Sequence, residues 1–313
     1  MPGKILIVGS LNMDLVACAP RIPVVGETIT GQRYFDEPGG KGANQAYAVA
    51  RLGGQAAMLG RVGSDDFGRR MRDNLRAVGC DVNGVKVVPD TTSGIALIFV
   101  GDDGHNSIII VPGANNHLSP QSIQSAEELF HGASLVLLQL ENPLPTVIAA
   151  ARMGRQAGAR VILDPAPAPP QPLPDELLSL VDILTPNETE AAILAGSEPR
   201  RLDATQAAEI AAQLWNRGAG KVIVKLGDMG CVALDEGSPQ HFPAPKVKAV
   251  DTTAAGDVFN AGLAVALAEG MSFAEACRFA NACAALSVTR LGTQVATPAR
   301  SEVNAFAAGA SAG

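Results

Sequence analysis

A chain of 313 residues with 47% hydrophobic but only 4% aromatic side chains is long enough for one large α/β domain or two smaller ones, with a core that relies on small and aliphatic residues. Its 24 Lys and Arg against 31 Asp and Glu leave a net charge of −7, which argues against nonspecific nucleic-acid binding, since that rests on a basic surface. The five scattered cysteines form no CxxC pair, no apolar run reaches the ~18 residues of a membrane span, and the start leads into a strand-like run rather than a signal-peptide core. The expectation is a cytoplasmic protein with reduced thiols and neither a nucleic-acid nor a membrane partner.

Lys4 leads into the continuous apolar run Ile5 to Val8, closed by Gly9 and Ser10, which is how a buried parallel strand reads. Asn12, Met13 and Asp14 follow. Polar residues just past the carboxyl end of such a strand lie where open α/β sheets bind ligands, although an Asp there also caps turns. From Leu15 to Pro38 the pattern is mixed, with short strands expected at 28–30 and 33–35. Ser93 to Val100 and Asn106 to Val111 read as a hairpin about Asp102-Asp103-Gly104. Both stretches are expected to stand outside the main sheet.

Gly39 to Gly42 precedes a helix expected from about Ala43 to Leu52. A glycine cluster is most often a turn, and it also permits close approach to a ligand. Leu59 to Gly68 reads as strand end, turn and helix start, with Asp65 and Asp66 as caps, and Arg69 to Val78 as an amphipathic helix. Leu135 to Leu140 is a second buried strand with Glu141 at its carboxyl end. A helix at 144–157, a strand at 160–163, a proline-rich loop to Pro174 and a strand at 181–185 running into a helix at Asn187-Glu188-Thr189-Glu190 come next. Then follow a helix at 204–217, a strand at 221–225 with a glycine turn through Leu226 to Gly230, and a hairpin at 231–242.

Val247 to Val250 alternates like a strand and leads into Asp251-Thr252-Thr253-Ala254-Ala255-Gly256-Asp257, after which an Ala-rich helix opens. Small residues leave N–H groups bare at a helix N-terminus, and its partial positive charge suits an anion. Asp257, in the first turn, repels phosphate and cannot ligate it. It either satisfies the helix dipole or takes the proton of an alcohol that attacks a phosphoryl group held by the N–H groups of Ala255 and Gly256. A second Ala-rich helix is expected at about 273–289. The four histidines are isolated and without metal-ligand spacing, so none is given a role. Strands alternate with helices throughout, without repeat or linker, which predicts a doubly wound, mostly parallel sheet flanked by helices. The first strand is followed by Gly-Ser-Leu-Asn rather than G-x-G-x-x-G, so a Rossmann oxidoreductase is excluded.

Two stretches, Gly39-Gly40-Lys41-Gly42-Ala43-Asn44-Gln45-Ala46 and Asp251 to Asp257, resemble the two signatures of the ribokinase-like (PfkB) family of carbohydrate kinases. Leu59 to Gly68 resembles its GxVGxDxxG stretch and Asn187 to Glu190 its N-x-x-E element, and the resemblance runs over nearly the whole chain. It implies a single ribokinase-like domain over 1–313 with a small β-sheet lid built from about 15–38 and 91–112, which excludes water and forms a homodimer contact. It implies ATP-dependent phosphorylation of D-ribose at the 5-hydroxyl, with Asp257 as general base and Ala254, Ala255 and Gly256 as the anion hole. The sugar-binding positions it implies are Asn12, Met13, Asp14, Gly40, Lys41, Gly42, Ala43, Asn44 and Glu141, with Asp257. The nucleotide-binding positions are Asn187, Lys225, Leu226, Gly227, Asp228, Met229, Gly230 and Asn281, with Gly256 and Asp257. Mg²⁺ would come with ATP and be met indirectly by Asn187 and Glu190. A monovalent K⁺ would sit at Asp251, Thr253, Ser287, Arg290, Gly292 and Ala296, largely on backbone carbonyls. The chain departs from the family pattern at Met13, usually small; at Asn281, often His; and at Ala296, often Ser. The alternatives are a sibling kinase for 2-deoxyribose, fructose or a nucleoside, and a non-catalytic sugar-binding protein on the same fold.

Overall fold

The computed structural model describes residues 3–310, so residues 1–2 and 311–313 of the expected 1–313 domain lie outside the described residues. In chain order the elements are β1 (Lys4–Val8), β2 (Asn12–Ala19), β3 (Arg33–Gly39), α1 (Lys41–Arg51), β4 (Ala56–Gly63), α2 (Asp66–Ala77), β5 (Asp81–Val88), β6 (Gly94–Gly101), β7 (Asn106–Val111), α3 (Pro120–Gln124), β8 (Ala133–Leu138) and α4 (Leu144–Gln156). They continue as β9 (Arg160–Leu163), α5 (Asp175–Leu180), β10 (Ile183–Leu184), α6 (Glu188–Leu194), α7 (Ala204–Asn216), β11 (Lys221–Lys225), β12 (Cys231–Asp235), β13 (Ser238–Phe242), α8 (Ala255–Ala268), α9 (Phe273–Ser287) and α10 (Arg300–Ala310).

The apolar run of β1 makes it a buried interior strand of a nine-stranded sheet ordered β13-β12-β11-β10-β9-β8-β1-β4-β5. All neighbours from β11 to β5 are parallel, and only β12 and β13 return antiparallel. Alternate side chains of β1 enter two cores: Ile5 and Ile7 pack with α1, α2, α8 and α9, while Leu6 and Val8 pack with α3 to α7. Strand order reverses at β1, between β4 and β8, so its carboxyl end opens the crevice where such sheets bind ligands. Helix α8 is buried all round from Asp257 to Leu267. It tolerates this because its residues are small: a Cβ on Gly262 would lie 3.0 Å from Cys283 Sγ and 3.2 Å from Ala280 Cα of α9. The scarcity of aromatics in the sequence is the counterpart of this close helix packing.

A separate four-stranded sheet has the order β3-β2-β6-β7, with β2 parallel to β6 and the other pairs antiparallel. Its first strand begins at Asn12, directly beyond β1, rather than at 15, so Asn12 and Asp14 belong to this sheet. Every residue of the edge strand β7 is exposed, including Ile108, Ile109 and Ile110.

Three expectations are corrected. Residues 28–30 form no strand. Val247 to Val250 also form none: the segment is mostly exposed, and the N–H groups of Val250 and Asp251 both donate to Val288 O past α9 instead of to a neighbouring strand. Helix α1 starts at Lys41, two residues earlier than expected, because Gly40 takes φ 88° as its N-cap and lets the chain turn immediately. A Cβ on Gly40 would lie 2.6 Å from Asn12 N, so only glycine fits this turn against β2.

Candidate active site

Asp257 stands in the first turn of α8 and is buried. Two amides of α1 hold its carboxylate: Asn44 Nδ2 donates to Oδ2 at 3.0 Å and Gln45 Nε2 to Oδ1 at 3.1 Å. Burial pushes its pKa up to about 6; Asp164 adds to that, while Lys41 and the two amide donors pull it down. The group is therefore ionised at neutral pH but close enough to it to take a proton. The preceding N-cap, Ala254, sits in the left-handed region at φ 58°, and no side chain caps the helix. Lys225 Nζ faces this turn, since a Cβ on Gly256 would lie 3.4 Å from it. The ammonium is bound at 2.8 Å to Asp164, whose other oxygen accepts from Gln45 Nε2 at 3.1 Å. Lys41 completes the ring of charge. Burial works against its ammonium, but Asp257, Glu141, Asp164 and Glu190 outweigh that and hold its pKa above the ordinary lysine value.

On the other side of Asp257 lie the sugar candidates. Glu141 Oε2 accepts from Ser10 Oγ, from Lys41 N at 3.2 Å and from Asn12 Nδ2 at 3.5 Å. Asn12 Oδ1 accepts from Asn115 Nδ2 at 2.8 Å. Asp14 is 7% exposed, and no described residue donates a hydrogen bond to its carboxylate. Burial raises its pKa to about 7, with Glu37, Glu141 and Asp257 adding to the rise and Lys41 opposing it. Gly42 packs its Cα against Gly9, and Ala43 N donates to Ser10 O at 2.9 Å, so this turn is stitched to the end of β1. Met13 is not brought into the cleft: it alternates with Asn12 and Asp14 on β2 and is wholly buried in the apolar cluster under α1 and α8.

Two adjoining cavities run along the α8 N-terminus. One of ≈ 340 Å³ is lined by Lys41, Asp164, Asn187, Glu190, Lys225 and Asp257 among others, and one of ≈ 610 Å³ by Lys225, Gly227, Asp228, Gly230, Val247 and Asn281 among others. Lys225, Gly227, Thr252, Ala255 and Gly256 line both. The misread segment 247–250 thus contributes to a cavity wall. Asn281 Nδ2 donates to Phe242 O at 2.9 Å, fixing that wall. Leu226 is corrected: its side chain is buried in the core beneath α6 and α7, because a turn carries alternate residues inward. Met229 is also outside both linings; its side chain is exposed and its carbonyl oxygen is 2.8 Å from His241 Nε2.

Asn187 is paired beside Lys225 and caps α6. Its side chain accepts from Glu190 N, and Glu190 Oε2 accepts from Asn187 N, both at 2.8 Å. Burial raises the Glu190 pKa to about 7, against the pull of Lys225. The expected cation positions are partly gathered. Asp251 Oδ1 accepts from Thr253 N at 2.9 Å and Thr253 Oγ1 at 2.7 Å, and Oδ2 from Gly292 N at 3.0 Å. Ser287 and Ala296 are buried nearby in sequence, Ser287 Oγ donating to Ala284 O, while the Arg290 guanidinium is turned to Glu302. Among the described residues no cluster of three or more His, Cys, Asp or Glu would hold a metal unaided, and no helix is long and apolar enough to cross a membrane.

The sequence pointed to none of Asp164, Gln45, Gln139 and Gln294, which bond in turn to Lys225, Asp257, Gln45 and Asn44. Asp164 lies just past the carboxyl end of β9, the same signal that marked Glu141, and Gln45 neighbours Asn44. Gln294 carries no local signal, since its partner Asn44 is 250 residues away.

A model of pfkB family carbohydrate kinases matches residues 3–300. The chain is 42% identical over 306 residues to a ribokinase of Haemophilus influenzae, covering 98% of this chain and 99% of that one. It is 38% identical over 302 residues to a deoxyribokinase of Salmonella typhi, covering 96% and 98%. The fold superposes with a TM-score of 0.90 on Arabidopsis thaliana ribokinase complexed with ribose and ATP, 37% identical, covering 98% of this chain and 99% of that one. With both signatures converging on Asp257, and with these matches end to end, the chain belongs to the pfkB family of carbohydrate kinases.

Proposed function

We propose that this protein is an ATP-dependent kinase that phosphorylates D-ribose at its 5-hydroxyl, giving D-ribose 5-phosphate and ADP. The observation that carries it is the position of Asp257, a buried, ionised carboxylate set between the uncapped N-terminus of α8 and the polar groups of β2. Asp14, with no protein donor, and Asn12 accept and share hydrogen bonds with the sugar hydroxyls, which suits a vicinal diol. The 5-hydroxyl then lies at Asp257. Its proton passes to the carboxylate as its oxygen bonds to the γ-phosphorus of ATP, and the bond from that phosphorus to the bridging oxygen breaks to release ADP. The N–H groups of the Ala254–Asp257 turn, Lys225 and Lys41 stabilise the charge on the group in transfer. The larger cavity takes the base and ribose of ATP and the smaller one its phosphates.

The donor set by the phosphates fits Mg²⁺ as an ion held mainly by the nucleotide. Asp164 is engaged by Lys225 and Gln45, and Asn187 and Glu190 by each other, so Glu190 meets the ion through water. When bound, Mg²⁺ neutralises phosphate charge. The loop pair tied by the bond from Gly292 N to Asp251 Oδ2 presents carboxylate and backbone carbonyl oxygens and fits a monovalent cation such as K⁺, with Ser287, Arg290 and Ala296 contributing through carbonyls. The exposed apolar edge of β7 supports a homodimer through the small sheet, and the five unpaired cysteines suit a reducing cytoplasm.

Coupled ADP release with ribose, 2-deoxyribose, fructose and adenosine, each with and without K⁺, tests the whole reading. The expected result is fastest turnover on ribose, raised by K⁺. The similarity to a deoxyribokinase supports a second reading, and preference for 2-deoxyribose would select it. Absence of turnover on every acceptor, with sugar binding intact, would overturn the kinase assignment for this panel.

A further inference from the structure

The two amides that hold Asp257 are themselves held. Asn44 Oδ1 accepts from Gln294 Nε2 at 3.0 Å, and Gln294 Oε1 accepts from Asn74 Nδ2 of α2 at 2.5 Å. Gln45 Oε1 accepts from Gln139 Nε2 at 2.7 Å. Each chain can run in only one direction. An ionised carboxylate accepts and cannot donate, so Asn44 and Gln45 must turn their N–H groups to Asp257. Their oxygens then face outward and need donors, which Gln294 and Gln139 supply. The Gln139 oxygen is left buried with no partner. An unbonded buried oxygen is costly. Turning Gln139 over would not remove the cost, because it would set two oxygens face to face at Gln45.

We propose that Gln294, held by Asn74, and Gln139 are positioning residues for the phosphoryl transfer: they fix the amide orientation of Asn44 and Gln45 so that N–H groups, not oxygens, face the Asp257 carboxylate. The proposal rests on the reading of Asp257 as the base. Charged groups facing Asp257 are Lys41 from α1, Asp164 beyond β9 and Asp14 on β2, with Lys225 of β11 bound to Asp164. Gln294 and Gln139 bond to none of these. A neutral change at either therefore reaches Asp257 through one carboxamide alone.

Gln294→Met removes the donor to Asn44 without adding charge, and Gln139→Met removes the donor to Gln45 together with the orphaned oxygen. Both amide bonds lower the Asp257 pKa, so releasing either raises it. The expected result is an upward move of about one pH unit in the titration of the Asp257 carboxyl carbon, followed by ¹³C NMR on the free enzyme, and in the acid limb of kcat/KM. The KM for ATP stays at its wild-type value, and Asn74→Leu gives a smaller shift in the same direction. A role confined to holding the loop would lower thermal stability and leave the titration in place; an unmoved titration in the folded variants overturns the proposal. If Gln294→Met does not fold, Gln139→Met and Asn74→Leu carry the test. The NMR reading does not need turnover. An active Asp257→Asn enzyme would sink the base reading, whereas an inactive one with unmoved titrations in the glutamine variants sinks only the positioning.

Discussion

Asp257 and Asp14 are both buried carboxylates in one cleft, yet they are solvated differently. Asp257 receives an amide N–H on each oxygen and settles at about 6; Asp14 receives none and rises to about 7. A base must be ionised and aimed before substrate arrives, so the protein supplies its donors. A group that recognises hydroxyls must leave its acceptors open, so the substrate supplies them.

The sharpest way to break this contrast is at the base. Asp257→Asn keeps the size and loses the proton acceptor, and should cost roughly 10²–10⁴-fold in kcat while sugar still binds. Coupled ADP release and calorimetry check this; near-wild-type turnover would remove Asp257 from the chemistry.

Asp14 comes next. Hydroxyls that donate to it favour its ionised form, so sugar should bind more tightly as pH rises through about 7, with proton release seen as a buffer-dependent heat. Asp14→Asn should weaken sugar binding about 10–100-fold, as expected for hydrogen bonds to a charged group, and abolish that pH dependence. Its effect on stability has the opposite sign. The folded pKa of about 7 lies above the ordinary 3.8, so the native state holds the proton more strongly and loses stability as pH rises between these values. Asp14→Asn should therefore raise Tm at pH 8 and have little effect at pH 4.

The smallest effect is expected at Gly256. Ala there should stabilise the first turn of α8 by about 0.5–1 kcal/mol. Its methyl group would sit 3.4 Å from Lys225 Nζ, in the space that the proposed reaction gives to a phosphate. A more stable but slower enzyme is expected from thermal melts and kcat; unchanged kcat would place the phosphoryl group elsewhere.

Both carboxylates of the contrast were legible, whereas the groups behind the donors to Asp257 were not. Asn12, Asp14, Glu141 and Asp257 each follow a buried apolar run or open a small-residue helix, so local pattern and motif expose them. The strand Arg160–Leu163 and the start of the helix at Leu144 were read where they lie. Gln139 and Gln294 were not, because their roles exist only through partners 94 and 250 residues away. Leu226 was misplaced because a motif carries contiguous residues, whereas the turn sends one of them into the core. Alternation misled at 247–250, where an irregular cavity wall has the same rhythm as a strand without a strand to pair with.

Strand β2 is unbroken from Asn12 to Ala19 and keeps register with β6 along its whole length. Its first three residues lie at the cleft end, Asn12 and Asp14 facing the proposed sugar site and Met13 the core, and its last five carry the small sheet outward. At about 3.3 Å per residue the strand is a stiff arm of roughly 26 Å. A tilt of about 5° at the cleft then displaces the outer rim by roughly 2 Å on the same spacing. Mechanically, Asn12 and Asp14 stand at the short end of a lever whose long end is the rim of the sheet.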